Sequence, residues 1–246
     1  MTEDRLYSDA RLAQFYDIAN GWGDDYSFCI GAAKNAKTVL DLGCGTGYFL
    51  TALPEPILGV GIEPATAMLD IARNRSGDDR FTWVAADART VRLGQTFDLI
   101  VMTGHAFQVF LNDADQRAAL ATIAAHLSPV GRFIFDTRNP EARAWETWRP
   151  EDSRYTFDHP DEGLIEAWNA ATYEQETGVV TYETHYRIAA TGEHLSAESQ
   201  IRFSSLENLS NLMSDAGLHV DDWYGDWQGG PIKPNCPDFI PVGRLK

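Results

Sequence analysis

The stretch VLDLGCGTGYFL, residues 39–50, sets Gly43, Gly45 and Gly47 directly behind an apolar run. A strand that ends in such a turn and leads into a helix lets a ligand lie against bare backbone, because no Cβ stands in the way. Turns of this kind cradle phosphates and adenosine-bearing ligands. The feature therefore constrains the fold before it names the ligand.

Around this turn, short apolar runs alternate with helical patterns. KTVLDL (37–42), ILGVGIE (57–63), RFTWVAAD (80–87), FDLIVMT (97–103) and GRFIFDTR (131–138) read as strands. YFLTAL after the turn, PATAMLDIARNR (64–75) and DADQRAALATIAAHL (113–127) read as helices, with Pro64 suited to a first helical turn. That rhythm predicts an α/β fold with a doubly wound, mostly parallel sheet. Residues 164–205 change to aromatic and β-branched residues broken at QETG and ATGEH, which predicts an antiparallel meander of about three strands. LENLSNLMSDAG (206–217) returns to helix, and LHVDDWYGDW and DFIPVGRL supply two closing strands, seven in the main sheet. Residues 1–36 read as helical, with Leu12, Phe15, Tyr16 and Ile18 at helical spacing ahead of the breaker NGWGDD. The expected division is a helical lid (1–36), a ligand-binding core (37–140), an inserted β-subdomain (141–205) and the closing part of the core (206–246).

Composition narrows the partners. Twenty Lys and Arg stand against 36 Asp and Glu, a formal charge of −16. So uniform an acidic excess repels phosphate backbones, and no nucleic-acid partner is expected. Cys29, Cys44 and Cys236 are odd in number and widely spaced, which predicts neither a disulfide framework nor a metal site and fits a reducing compartment. No apolar run suits a signal peptide or a membrane span, so a cytoplasmic protein without a membrane partner is expected.

The acid ahead of the glycines decides between ligands. A dinucleotide fingerprint needs a third glycine where this chain has Tyr48, and it would place pyrophosphate beside Asp41. A ligand bearing an amino group and a sulfonium gains from the same charge.

The motif VLDLGCGTG resembles the first motif of class I S-adenosylmethionine-dependent methyltransferases: an acid, one residue, then G-x-G-x-G. The resemblance continues in order. Glu63 ends the second strand 20 residues after Gly43, where the family has its ribose-binding acid, and ADAR (86–89) matches the next motif. It implies a Rossmann-like methyltransferase fold and S-adenosylmethionine as methyl donor, released as S-adenosylhomocysteine. The implied cofactor-binding residues are Tyr16, Asp41, Gly43, Cys44, Gly45, Gly47, Glu63, Pro64, Met68, Asp87, Ala88 and Thr103. Asp87 would accept from the adenine amino group, and Glu63 from the ribose hydroxyls. The match is close over residues 38 to 138. The inserted β-region and RLAQFYDIANGW resemble features of a small-molecule subset that includes sugar N-methyltransferases.

Structural alternatives stand beside several of these readings. Asp41 and Glu63 could serve their own turns, and Met68 could be core as readily as an adenine contact. His105, after the fourth strand, is either a general base or a polar contact to cofactor or backbone. Phe107 and Gln108 would shape the pocket or simply pack, and Tyr7 and Trp22 would join a lid or an aromatic face. Asn139-Pro140 imitates a nucleobase aminomethylase motif, but it follows the wrong strand and lacks the second proline. The function expected is methyl transfer to nitrogen or oxygen of a small-molecule acceptor, by alignment of donor and nucleophile rather than by metal or covalent catalysis. The alternatives are a binding protein without turnover and a nicotinamide-dependent oxidoreductase. A homodimer is compatible with all three.

Overall fold

The computed structural model describes residues 4–75 and 77–246. Residues 1–3, the start of the predicted helical lid, lie outside the described residues. Four short helices come first: α1 (Arg5–Ser8), α2 (Ala10–Ala13), α3 (Tyr16–Asn20) and α4 (Asp24–Ala32). Then follow β1 (Thr38–Leu42), α5 (Tyr48–Thr51), β2 (Leu58–Glu63), α6 (Thr66–Arg75), β3 (Phe81–Ala85) and β4 (Phe97–Met102). α7 (Asp113–His126), β5 (Leu127–Phe135) and β6 (Thr137–Arg138) complete the first part. α8 (Pro150–Ser153) precedes β7 (Tyr155–His159), β8 (Gly163–Glu174), β9 (Val179–Ile188) and β10 (His194–Arg202). The chain closes with α9 (Leu206–Asp215), β11 (Leu218–Tyr224) and β12 (Asp238–Leu245).

The main sheet runs β11-β12-β5-β4-β1-β2-β3, with the short β6 also paired to β12. β3, β2, β1, β4 and β5 pair in parallel, and β12 is antiparallel to both β5 and β11. Helices cover both faces, so the central strands are apolar at nearly every position. The alternation is still visible. Leu40, Leu42, Ile100 and Met102 face a core shared with α7 and α9, while Val39, Leu99 and Val101 face one shared with α4 and α5. Strand order reverses between β1 and β4, and open α/β sheets bind ligands outside the carboxyl ends of the strands at that point.

The second sheet, β10-β9-β8-β7, is an antiparallel meander. Residues 164–205 hold three strands as expected, and β7 adds a fourth before them. YTFDH is short, lies at an edge and is buried only at its end, so it offers no run of alternating apolar residues.

The N-terminal segment differs from a continuous helical region. Asp4 and Asp9 each accept a backbone N–H two residues on, which restarts the helix at α1 and again at α2. Gly21, with φ 62°, stops α3. The short helices are held by what they touch. Leu12 and Phe15 pack on Ile165, Tyr186 and Ile188 of the second sheet, while Ala13 packs on Ala65 and Met68 of the core. Burying Leu12 and Phe15 contributes about 1.5–3 kcal/mol each. The segment is thus wedged between the two sheets.

Pro64 is a further difference. α6 begins at Thr66, so Pro64 lies in the bend ahead of the helix rather than in its first turn. Asn139, the motif imitator, has a structural role. It is buried, and its Nδ2 donates to the carbonyls of Pro234 and Cys236, both at 2.9 Å, tying the loop 225–237 to the end of β6. In Asn139→Ala both carbonyls lose a buried donor. We expect unfolding in urea to show a loss of about 2–3 kcal/mol with an unchanged slope; an unchanged midpoint would contradict this role.

Candidate active site

The carboxyl ends of β1 and β4 converge on a cleft lined among others by Tyr16, Asp41, Gly43, Cys44, Gly45 and Thr103. These are six of the residues expected from sequence. Tyr26, Thr46, Phe49 and Gly104 also line it. Gly43 and Gly47 both have positive φ, 80° and 73°. A Cβ on Gly43 would stand 3.0 Å from the Ala106 Cβ, and one on Gly47 would stand 2.5 Å from the Trp83 ring. Gly43 keeps the floor of the cleft open, whereas Gly47 fits α5 against β3 behind it. Cys44 turns its sulfur toward Gly61 on β2, where a Cβ would come within 2.7 Å, so only part of this residue is offered to the cleft.

Asp41 is 1% exposed, and its Oδ1 has no hydrogen-bond partner. Burial pushes its carboxyl up to about 8, with the nearby charges of Glu63 and Asp25 adding to the shift. Glu63 accepts the N–H of Gly45 at 3.1 Å through Oε2 and that of Ala65 at 2.9 Å through Oε1. It braces the glycine turn while leaving a lone pair on each oxygen. Burial raises its carboxyl too, against the pull of these two donors. Asp25, on α4, accepts the N–H of Gly104 and is likewise raised by burial. Three carboxylates of raised pKa around one cleft make a site that gains from a cation.

Met68 is buried beside Ala13, Ala65 and Tyr16, and its terminal methyl would meet a Cβ on Gly45 at 3.4 Å. Asp87 and Ala88 follow β3 and are not among the residues lining the cleft. The Asp87 carboxylate is engaged by the Arg89 guanidinium at 2.5 Å, and Arg89 also reaches Asp115 at 3.1 Å. This pairing holds Asp87 below the usual carboxylate range.

The N-terminal segment is tied directly to the glycine turn. The Thr46 hydroxyl donates to Asp17 at 2.6 Å, and Arg75 of α6 pairs with the same carboxylate. Arg75 also donates to the Thr46 carbonyl at 3.1 Å and lies over the Tyr48 ring. Tyr16, one residue before Asp17, reaches its hydroxyl over Gly104, 3.7 Å from where a Cβ would be. Tyr7 packs edge-on against Tyr16, whereas Trp22 is half exposed against Tyr26 and Tyr48.

His105 follows Gly104 at the end of β4, and both have left-handed backbone, which for histidine is a strained conformation. Its N–H donates to Oδ1 of Asp136 at 3.0 Å, and its Nε2 lies 3.1 Å from Asp238 Oδ1 and 3.3 Å from Asp136 Oδ2. Asp136 is fully buried and its Oδ2 lacks a hydrogen-bond partner; burial pushes its carboxyl up. Phe107 is core, stacked on Phe135, and Gln108 is buried with its amide donating to the Arg202 carbonyl at 3.0 Å.

Sequence reasoning passed over Asp17, Asp25, Thr46, Asp136 and Asp238. Asp136 carried a readable signal, since FIFD ends a strand in an acid just as VLDL and VGIE nearly do. Asp17, Asp25 and Asp238 join the site only through tertiary contacts.

A glycine cradle beside an unpaired buried carboxylate, at the switch point of a doubly wound sheet, defines a nucleoside-ligand enzyme of the Rossmann-like type. The methyltransferase-domain family profile matches residues 39–131. A cypemycin N-terminal methyltransferase from a Streptomyces species is 33% identical over 209 residues, 85% of this chain and 83% of its own. The dTDP-3-amino-3,6-dideoxy-alpha-D-glucopyranose N,N-dimethyltransferase of Streptomyces fradiae is 27% identical, covering 92% of this chain and 91% of its own. The crystal structure of Streptomyces venezuelae DesVI superposes with a TM-score of 0.75 at 24% identity, over 95% of this chain and 98% of that one. The chain belongs to the class I S-adenosylmethionine-dependent methyltransferases and is an enzyme.

The residues present fit the cofactor: the orphaned Asp41 oxygen answers its amino group, and the glycines clear room for its amino-acid end. The Asp41 carboxyl, raised from 3.8 to about 8, favours its protonated form without ligand. Its contribution to folding stability is full below pH 4 and is lost as pH rises toward 8. A cationic ligand needs the carboxylate, so binding at pH 7 expels a proton. Calorimetry of S-adenosylhomocysteine in buffers of differing ionisation enthalpy should show release of about 0.9 proton at pH 7. In Asp41→Asn the release should vanish and affinity should fall; buffer-independent heats in the unaltered protein would refute the linkage.

Proposed function

We propose that the protein methylates an amine nitrogen of a small-molecule acceptor seated between the carboxyl edge of the main sheet and the second sheet. The observation that carries this reading is Asp136, a second buried carboxylate with an unpaired oxygen, beside His105 at the end of β4. Asp41 meets the cationic end of the donor, and Asp136 with Asp238 offers negative charge where an amine would be positioned and lose its proton. The relatives matched over most of their length support nitrogen over oxygen, since their names give amino-sugar and peptide N-terminal acceptors.

S-adenosylmethionine supplies a methyl already activated by the sulfonium. This chain's residues have to hold the nucleophile in line and exclude water. We assign Tyr16, Asp41, Gly43, Cys44, Gly45, Gly47, Glu63, Pro64, Met68, Asp87, Ala88 and Thr103 to cofactor binding. Helices α1–α4 act as the lid, and β7–β10 as the acceptor wall. The wedge of Leu12 and Phe15 into the second sheet, and the Asp17 link to Thr46, support that division. His105 acts as the base. With Nε2–H donating to Asp238, the lone pair lies on Nδ1, and the imidazolium formed on protonation is balanced by Asp136 and Asp238. Among the described residues no helix is long and apolar enough to cross a membrane. Three free, buried cysteines support a reducing compartment such as the cytoplasm.

His105→Ala should lower kcat for an amino-sugar acceptor by about 100-fold and flatten its pH profile. Affinity for S-adenosylhomocysteine should stay within about twofold. Unchanged turnover from pH 6 to 9 would remove the base role and leave methyl transfer by alignment alone.

A further inference from the structure

β6 pairs with β12 in the register Arg138 opposite Asp238. Directly opposed residues of an antiparallel pair present their side chains on the same face, with Cβ atoms about 5 Å apart. An arginine and an aspartate so placed would ordinarily form an ion pair. Here they do not. Asp238 is engaged by His105 at 3.1 Å. Arg138 is drawn the other way, its Nη1 donating to Gln108 Oε1 at 3.1 Å and its guanidinium lying over the Trp148 ring at 5.1 Å. Gln108 is itself fully buried and fixed by its bond to the Arg202 carbonyl, so it holds the guanidinium firmly.

The contrast with the other arginines is sharp. Among the described residues, Arg75, Arg80, Arg89 and Arg202 are the other half-buried arginines, and each has a carboxylate within 4 Å. Arg138 has none among the described residues, in a chain rich in acids. Of its five N–H donors, one is accounted for by a side chain, and that partner is neutral. Burial works against its charge, pushing its pKa down.

Its surroundings connect it to the site. Trp148 packs edge-on against Tyr182 of β9, and the Tyr182 hydroxyl lies 3.4 Å from that of Tyr7. Tyr7 in turn packs against Tyr16, which lines the donor cleft. The aromatic wall therefore runs from the cleft to Arg138 without a break, with His105 and Asp238 on the same side.

We infer that Arg138 is a specificity-determining residue that binds an oxyanion of the acceptor, phosphate or carboxylate, at a point removed from the nitrogen to be methylated. A guanidinium fork matches either group bidentately, and a contact walled by aromatic rings is screened little by solvent ions. The inference rests on the methyltransferase reading above. Fixing the acceptor at its anionic group while Asp136 and Asp238 face its amine sets both ends of the molecule, which is what in-line transfer requires.

The test is calorimetric titration of the protein saturated with S-adenosylhomocysteine, using two matched pairs of probes. One pair is dTDP-3-amino-3,6-dideoxyglucose against the methyl glycoside of the same amino sugar. The other is trialanine against trialanine amide. The expected result is that in at least one pair the anionic member binds about tenfold or more tightly than the neutral one, and the pair that does so identifies phosphate or carboxylate. In Arg138→Gln that preference should vanish through about a 30-fold weakening of the anionic member, with the neutral member and S-adenosylhomocysteine within about twofold of the unaltered protein. Arg138→Lys should recover part of it. Equal weakening of both members, or no preference in the unaltered protein for either anionic probe, would overturn the assignment. Failure of the unaltered protein to bind S-adenosylhomocysteine would instead overturn the methyltransferase reading.

Discussion

A carboxyl group buried with an unpartnered oxygen resists ionisation, and Asp41 is in that state near the end of β1, its pKa pushed up to about 8. The fold carries it there because β1 is the middle of the five parallel strands, buried on both faces and hydrogen-bonded to β2 and β4. The glycine turn that follows could be built without the acid. What the acid adds is demand for a cation, sharpened by Glu63 and Asp25 close by. Donor selection is therefore electrostatic first and steric second. The glycines decide where backbone can be approached, and Asp41 decides what approaches.

The same turn is the anchor for the N-terminal segment. α1, α2 and α3 are each too short to be stable alone. Their order comes from Leu12 and Phe15 in the second sheet, Ala13 against α6, and Asp17 on Thr46 and Arg75. Thr46 lies between two of the turn's glycines, so a shift of the segment and a shift of the turn are mechanically coupled. A contact with the glycine turn and a contact with the second sheet are thus properties of one piece of chain.

The sequence pattern reported the main sheet well because strands buried on both faces leave long apolar runs, and DFIPVGRL matches β12 residue for residue. It was weaker where a few polar bonds set the structure. Asp4 and Asp9 divide the N-terminal helices through caps that look in sequence like ordinary surface acids. β7 was illegible because an edge strand with exposed side chains carries no period. At the site, the glycine turn, Asp41 and Glu63 were readable from spacing. Asp136 and Asp238 were not paired with His105 by any spacing, since 31 and 133 residues separate them and the β4–β5, β12–β5 and β12–β6 ladders bring them together. Asp87 shows the opposite case: its motif was plain, but Arg89 two residues on forms an ion pair with it that the motif alone does not disclose.

The acidic excess of the chain takes on meaning from this geography. Several exposed acids, Asp70, Asp152 and Asp221 among them, pair with neighbouring arginines, where such pairs contribute little. Two acids with an oxygen left without a hydrogen-bond partner, Asp41 and Asp136, are both buried and both at the carboxyl edge of the sheet. Arg138, half-buried without a carboxylate partner among the described residues, is two residues from Asp136. In the reading proposed above, these groups would divide the enclosure into a cationic-donor end, an amine position and an oxyanion position, and a ligand set carrying the complementary charges would relieve all three desolvation costs at once.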